Sequence, residues 1–412
     1  MGPIPAIEAS PVVLRSGSET VIAADPVEVI TASGADALQA LDRLGTGWWA
    51  GFLSYDLGRA VEQVVPRTGI PEAVPDLVLA RYDARLVLDH TLRSSSGRLV
   101  GSTAATARLE RLLDAAAVPA APEPLGSPRS SLDREAFEAG VRTIIGLIEA
   151  GDCYQVNLTR RLRWDREPDP RSLYDALLSA NPAPHAAMLA LGSSPADRIA
   201  VVSASPEQYL AWDGRHVVTR PIKGTGRDAA WLRTSAKDRA ENVMIVDLAR
   251  NDLGRVCEPT SITVPELCTL EAHPGLHHLV STVHGRLRDN VGIGALIRAT
   301  FPPASVTGAP KPRVLQVIED LEPVRRGIYC GAVGWLDTEH DTGSLAVAIR
   351  TFTIAGGCTS LGVGAGIVAD SQPHAEWCET ELKASRLLRA AGATGASTSP
   401  IPAPGNRYPV FR

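Results

Sequence analysis

The hydrophobic pattern of residues 199–220 reads as two short strands, Ile199–Ser203 and Gln208–Trp212, followed by Asp213-Gly214, a dipeptide that favours a tight hairpin turn into a third strand, His216–Arg220. Lys223, in Pro221-Ile-Lys-Gly-Thr225, falls just past the end of that strand. With the turn centred on Asp213-Gly214, Glu207 pairs roughly opposite Arg220, and Lys223 lies about 10 Å further along at ~3.3 Å per residue. A carboxyl and an amine then flank one small pocket. The plainer reading of the same residues is a solvated lysine in a glycine-containing loop.

Helical spacing governs Leu132–Ala150, with Ser131 as the cap and apolar positions at Phe137, Val141, Ile144, Ile145 and Ile148. Further helices are predicted from about Ala236 to Asn251 and from about His374 to Ala391, the latter with Pro373 near its first position. Tyr154–Leu158, Ser261–Val264, Val283–Arg288 and Gly331–Leu336 read as strands, and Leu345–Ile354 with Cys358–Val368 as a hairpin around Ala355-Gly356-Gly357. Residues 1–125 carry mixed signals, including the run Gly47–Tyr55. Ala115–Arg129 turns to Ala, Pro and Ser, which predicts a linker and a border near residue 125 ahead of a larger unit, 130–391. Gly392–Arg412 is expected to be a disordered tail. No fixed period repeats along the chain.

Composition adds exclusions. The 412 residues are 44% hydrophobic and 21% charged, as in soluble globular proteins with a substantial core. A net charge of −5 without a Lys/Arg cluster argues against nucleic acid as the main partner. No run approaches the roughly 18 apolar residues of a membrane span, and Met1–Ser10 lacks a signal-peptide pattern, so a cytoplasmic location away from membranes is expected. The six cysteines show no C-x-x-C pair and are expected to be reduced core residues.

Two predicted helices carry paired acids on one face each, Asp238 with Glu241 and Glu376 with Glu379. Such a set suits a hard cation such as magnesium, which takes oxygen ligands and bridges to anionic substrate oxygens. Each pair also has a structural reading, because Ser235-x-x-Asp238 fits a capping box and Glu376 suits the first turn of its helix.

From about Asp133 to Ala391 the chain resembles the chorismate-utilising enzymes. The resemblance rests on SPEQYL at Ser205–Leu210, PIKGT at Pro221–Thr225, KDRAENVMIVDLARNDLGRV at Lys237–Val256 and HHLVS at His277–Ser281. It continues through FPPASVTGAPK at Phe301–Lys311, RRGIYCGAVGW at Arg325–Trp335, GVGAGIV at Gly362–Val368 and ETELK at Glu379–Lys383. The first 120 residues resemble the family only through GFLSYDLGRAVE at Gly51–Glu62. The resemblance implies an α/β (α+β) fold in which antiparallel sheets form a β-sandwich-like core with helices outside. Residues 1–125 would be the N-terminal region of that fold and 130–391 its chorismate-binding catalytic part. The many hairpin signals with interspersed helices agree.

The same resemblance implies roles for single residues. Glu241 and Glu379 would hold Mg2+, with Asp238 and Glu376 as further or water-mediated partners, and the metal would bind the ring carboxylate of chorismate. Arg350 and Tyr329 would contact the enolpyruvyl carboxylate, the guanidinium offering two parallel donors. Backbone amides of Gly364, Ala365 and Gly366 would serve the same end, Thr225 and His278 would lie beside the ring carboxylate and C4, and Lys383 joins the substrate-binding set. Glu207 matches the acid that assists departure of the C4 hydroxyl, a task that needs a raised pKa.

Two positions point to a branch of the family. Gln155 stands where isochorismate and salicylate synthases carry a water-activating lysine, so water is not the expected nucleophile. Lys223 stands where anthranilate synthases usually have alanine, and a lysine there is typical of the aminodeoxychorismate synthases. Its neutral amine would attack C2 as the C4 hydroxyl leaves, and ammonia would then enter at C4 and expel the lysine. The expected product is 4-amino-4-deoxychorismate, the precursor of p-aminobenzoate and folate. Without a recognisable glutaminase segment, ammonia is expected from a separate glutamine amidotransferase subunit. Gly226-Arg227-Asp228 after the lysine motif and Pro303-Ala304 depart from the usual pattern. The alternatives are an anthranilate synthase component and a non-catalytic chorismate-binding subunit.

Overall fold

The computed structural model describes residues 10–67, 74–91, 96–115, 123–192, 197–226, 228–273, 276–393 and 397–400. Two large sheets dominate it. The first runs in the order Ser397–Pro400, Arg129–Ser130, Gln155–Trp164, Cys358–Ile367, Thr351–Ala355, Ile199–Ser205, His185–Leu191, Val12–Ser16, Glu19–Ala23, Ala84–Asp89, Ser96–Gly101. The second runs Ile222–Gly226, Leu276–Arg286, His216–Arg220, Gln208–Asp213, Thr342–Val347, Ala332–Asp337, Trp48–Leu53, Leu77–Tyr82, Glu28–Ala32. Pairing is antiparallel except where Ser397–Pro400 lies parallel to Arg129–Ser130. The rest of the expected tail, residues 394–396 and 401–412, lies outside the described residues.

Residues before position 115 supply strands to both sheets. The inner faces meet through Val12, Leu14, Val21, Trp48, Phe52, Val78, Leu189, Val201 and Val333, a packed layer drawn from both sheets, as in a sandwich. The outer face of the first sheet is covered by helices Thr103–Asp114, Pro170–Ala180 and Pro373–Ala390, through residues such as Leu109, Tyr174 and Leu387. Arg134–Glu149, Ala236–Gly254, Ile293–Thr300 and Lys311–Leu321 share the remaining core, around Phe137, Ile144, Val246, Leu253 and Ile318. Helices therefore lie outside the sheets. Among the described residues no helix is long and apolar enough to cross a membrane.

Several local expectations shift. The helix expected at Leu132–Ala150 spans Arg134–Glu149 and is capped by Asp133, which accepts from the Ala136 amide at 2.8 Å. Ser131 instead accepts from the Arg161 amide at 2.9 Å, which ties the loop to the neighbouring strand. Leu345–Ile354 is not one strand. Thr342–Val347 belongs to the second sheet and Thr351–Ala355 to the first, and the chain crosses between them at Ala348–Arg350, with Arg350 in the left-handed region at φ 52°. A second crossing lies alongside, because Ile199–Ser205 is in the first sheet and Gln208–Asp213 in the second. The Val347 amide donates to the Glu207 carbonyl at 3.0 Å and the Ala204 amide to the Arg350 carbonyl at 3.0 Å. Glu207 and Arg350 thus sit at adjacent corners of the sandwich.

Candidate active site

The hairpin forms one residue later than expected, with Asp213 paired to His216 so that Gly214 and Arg215 make the turn, Gly214 at φ 54°. Gln208, not Glu207, pairs with Arg220: the later turn would bring Tyr209 there, and an irregularity between Gln208 and Ala211 moves the partner back by one. Lys223 is not beyond a strand end either. Pro221 interrupts pairing, since it has no N–H to give, and the chain resumes as Ile222–Gly226 with Lys223 opposite Leu279 and Thr225 opposite His278. Gly224, at φ 78°, breaks the register in the middle. A Cβ there would lie 2.9 Å from Cβ of Asp238, so the missing side chain lets this strand approach the Ala236–Gly254 helix closely.

That strand sets Lys223 against the paired acids. Burial pushes the Lys223 pKa down, and the Lys383 cation adds to the fall while Glu241, Glu207 and Glu379 oppose it. Burial pushes Glu207, only 4% exposed, up to about 7, against a hydrogen bond with Ser305, the Lys223 charge, the Ile222 amide and Arg350. Each group is thereby drawn toward its neutral form. Gly366 lies beside them, with the buried Gln155 amide, whose nitrogen and oxygen have no hydrogen-bond partner among the described residues. Residues 359–367 pair with Gln155–Trp164 along one edge, whereas Thr351–Ala355 covers only residues 358–361 on the other. Beyond Leu361 the second edge is open, and alternation along an antiparallel strand turns the backbone groups of Gly364 and Gly366 to the same edge. Lys383 uses it, donating to the Gly364 carbonyl at 3.0 Å.

The four acids differ in their commitments. Asp238 is engaged in capping, its carboxylate taking the Ser235 hydroxyl and its amide donating to Ser235 at 3.3 Å. Glu376 is buried and takes the Ser371 hydroxyl at 2.7 Å. Burial pushes Glu241 up against the pull of Lys223 and Lys237, with the Asp238 and Glu379 carboxylates adding to the rise. Burial also acts upward on Glu379, but Lys383, at 2.7 Å, together with Lys223 and Lys237, holds it below the usual carboxylate range. This donor set of hard oxygens, with mutually repelling acids around Glu241, fits an ion such as magnesium that needs only one or two carboxylates and keeps water and substrate oxygens for the rest. Among the described residues the one group with ligand atoms all within 4.8 Å of each other is Asp337, Glu339 and His340. It is a hairpin turn, in which the Glu339 and His340 amides donate to Asp337.

The other expected residues fall in separate places, with Tyr329 and Arg350 lining two different cavities. Thr225 Oγ1 is 2.7 Å from His278 Nδ1, directly across the strand pair. Tyr329 packs its ring where Gly362 lacks a Cβ, which would stand 2.1 Å from the ring, and it lines a small cavity with Arg160, Arg161 and Arg326. Arg350 lines another with His278, Asn181 and Arg386. Ser305, Asn181 and Arg386 were not singled out by sequence; Ser305 lay inside a quoted motif, and the other two carried no signal. Arg227 lies outside the described residues.

The chain is 40% identical over 352 residues to aminodeoxychorismate synthase component 1 of Salmonella typhimurium, covering 82% of this chain and 75% of that protein. It is 37% identical over 402 residues to aminodeoxychorismate synthase component 1 of Escherichia coli, covering 92% and 85%. Its fold is similar to the crystal structure of anthranilate synthase component I from Streptococcus pneumoniae, with a TM-score of 0.77, 26% identity, and 90% and 92% coverage. Residues 8–389 match the family described as chorismate binding enzyme, and the chain belongs to that family.

Proposed function

We propose that this protein is the chorismate-aminating component of an aminodeoxychorismate synthase. The observation that carries the reading is the pair Lys223 and Glu207, neighbours in one site whose burial favours a neutral amine and a protonated acid. The Lys223 amine forms a bond to C2 of chorismate, the ring double bonds shift, and the C4–oxygen bond breaks. The hydroxyl leaves as water with the proton of Glu207. Ammonia then bonds to C4, the double bonds shift back, and the C2–nitrogen bond breaks to return free Lys223.

Arg350 and Tyr329, with the open-edge amides of Gly364 and Gly366, would hold the enolpyruvyl carboxylate, while Thr225 and His278 lie at the ring. Glu241 and Glu379 would hold magnesium, with Asp238 and Glu376 acting through water. A bound ion would neutralise the ring carboxylate and the surrounding acids. Lys383 secures Glu379 and the Gly364 carbonyl. The designation "component 1" of the relatives supports a second component, here a glutamine amidotransferase that supplies ammonia. Five buried free thiols suit a reducing, cytoplasmic setting.

The test is to mix the protein with chorismate, magnesium and ammonium and identify the product by mass spectrometry. 4-Amino-4-deoxychorismate is expected, and anthranilate would move the chain to the other amination branch.

A further inference from the structure

Asn181 follows the last turn of the Pro170–Ala180 helix and is 6% exposed, yet its Nδ2 has no hydrogen-bond partner among the described residues. A buried amide left in that state calls for an explanation. It lines the cavity that also holds Arg350, Arg386, His278 and Pro206, and no aspartate or glutamate lines it. Neither the Arg350 nor the Arg386 guanidinium has a hydrogen bond or ion pair among the described residues. Burial pushes the Arg350 pKa down and the Arg386 charge adds to the fall, against the Glu207 carboxyl on the active-site side.

The cavity has a direction. Ala180 and Pro182 at its rim are exposed, whereas His278 and Pro206 at its floor are buried, and Pro206 immediately precedes Glu207. It therefore leads from solvent to the wall of the candidate active site. We propose that it is an anion-binding vestibule in which Arg386 and Asn181 capture a carboxylate of the incoming substrate and pass it to Arg350. Concentrated positive charge in a cleft raises the capture rate of an anion and makes that rate salt-dependent. A free amide N–H adds a directional donor. That the anion is the substrate of the proposed reaction rests on the reading above; that the cavity binds a carboxylate does not.

Two measurements test this. In calorimetric titration with malonate, in metal-free buffer, wild type is expected to bind, Arg386→Gln and Asn181→Leu to bind at least fivefold more weakly, and Asn181→Asp not at all. Undiminished malonate binding in Arg386→Gln and Asn181→Leu overturns the proposal. In steady-state turnover of chorismate with ammonium, Arg386→Gln is expected to lower kcat/KM about tenfold through KM and to flatten its salt dependence, with Arg386→Lys retaining that dependence. A fall in kcat at unchanged KM overturns the vestibule, because it would place Arg386 in the chemistry or the packing. Wild-type malonate binding without chorismate turnover would refute the functional reading alone.

Discussion

The ammonium of Lys223 occupies the space beside Gly366: a Cβ built on that glycine would stand 3.4 Å from Nζ and 2.6 Å from the Gln155 amide nitrogen. A methyl there would touch Nζ at ordinary contact distance but would force the Gln155 amide to shift. Gly366→Leu is therefore expected to lower amination at least tenfold, because a side chain longer than a methyl must displace Nζ as well, and small displacements of a nucleophile matter. Normal turnover in this variant would show that Lys223 does not work from the position seen here.

Glu207 gives a pH signature in both rate and stability. As a general acid it must be protonated, so formation of a Lys223 adduct should fall as pH rises through about 7, while the neutral amine is lost on the acid side. In Glu207→Gln the alkaline fall should vanish and the overall rate drop by ~10²–10⁴-fold. The folded pKa of Glu207 is raised from its ordinary 4.5 to about 7, so its protonated form supports folding fully below 4.5, and that support is lost as pH rises through about 7. The loss is roughly 3 kcal/mol at most. Urea unfolding at pH 5 and pH 8 should show Glu207→Gln gaining stability relative to wild type at the higher pH; an unchanged difference would remove the pKa assignment.

Activity should require magnesium, and Glu379→Ala or Glu241→Ala should abolish it, since both carboxylates act on the buried Lys223 whereas Asp238 and Glu376 are held by the Ser235 and Ser371 hydroxyls. Asp238→Ala should act differently: it keeps its amide bond to the Ser235 cap but loses the carboxylate that takes the Ser235 hydroxyl and the first-turn charge, so a loss of helix stability of about 0.3–1 kcal/mol should accompany any effect on metal. Full turnover by Glu379→Ala in chelator-treated buffer would sink the metal assignment.

Much of this was legible in the sequence, and the parts that were not have a common cause. Local start signals, the Ser235 cap and Pro373 in the first turn, placed Ala236–Gly254 and Pro373–Ala390 to within a few residues. The strand Tyr154–Leu158 was seen at half its length, since Gln155–Trp164 is buried along nearly its whole run, including Arg160 and Arg161, and shows no alternation. The corners at Glu207 and Arg350 were invisible, because a chain crossing between two sheets keeps the strand-like pattern on both sides. Asn181 and Arg386 belong together only through the packing of the Pro170–Ala180 helix against the Pro373–Ala390 helix, which no local pattern encodes.

Nitrogen supply separates the chain from its proposed partner. Ammonium at alkaline pH should support turnover by the protein alone, while glutamine should not until an amidotransferase subunit is added. Glutamine-dependent product from the purified chain would refute that division of labour.

The sharpest prediction concerns Lys223. If its amine attacks C2, incubation with chorismate and magnesium in the absence of ammonia should leave part of the enzyme covalently modified at Lys223, detectable by intact-mass measurement and peptide mapping. Addition of ammonium should then discharge the adduct with release of the aminated product. Lys223→Ala should form no adduct and lose most of its kcat while its affinity for chorismate changes little, the pattern of a group that acts in the chemical step. Burial favours this attack, because the Lys223 pKa is lowered despite three neighbouring carboxylates. An unmodified enzyme, together with normal C4 amination by Lys223→Ala, would reduce the lysine to an electrostatic role and leave ammonia to attack C4 directly.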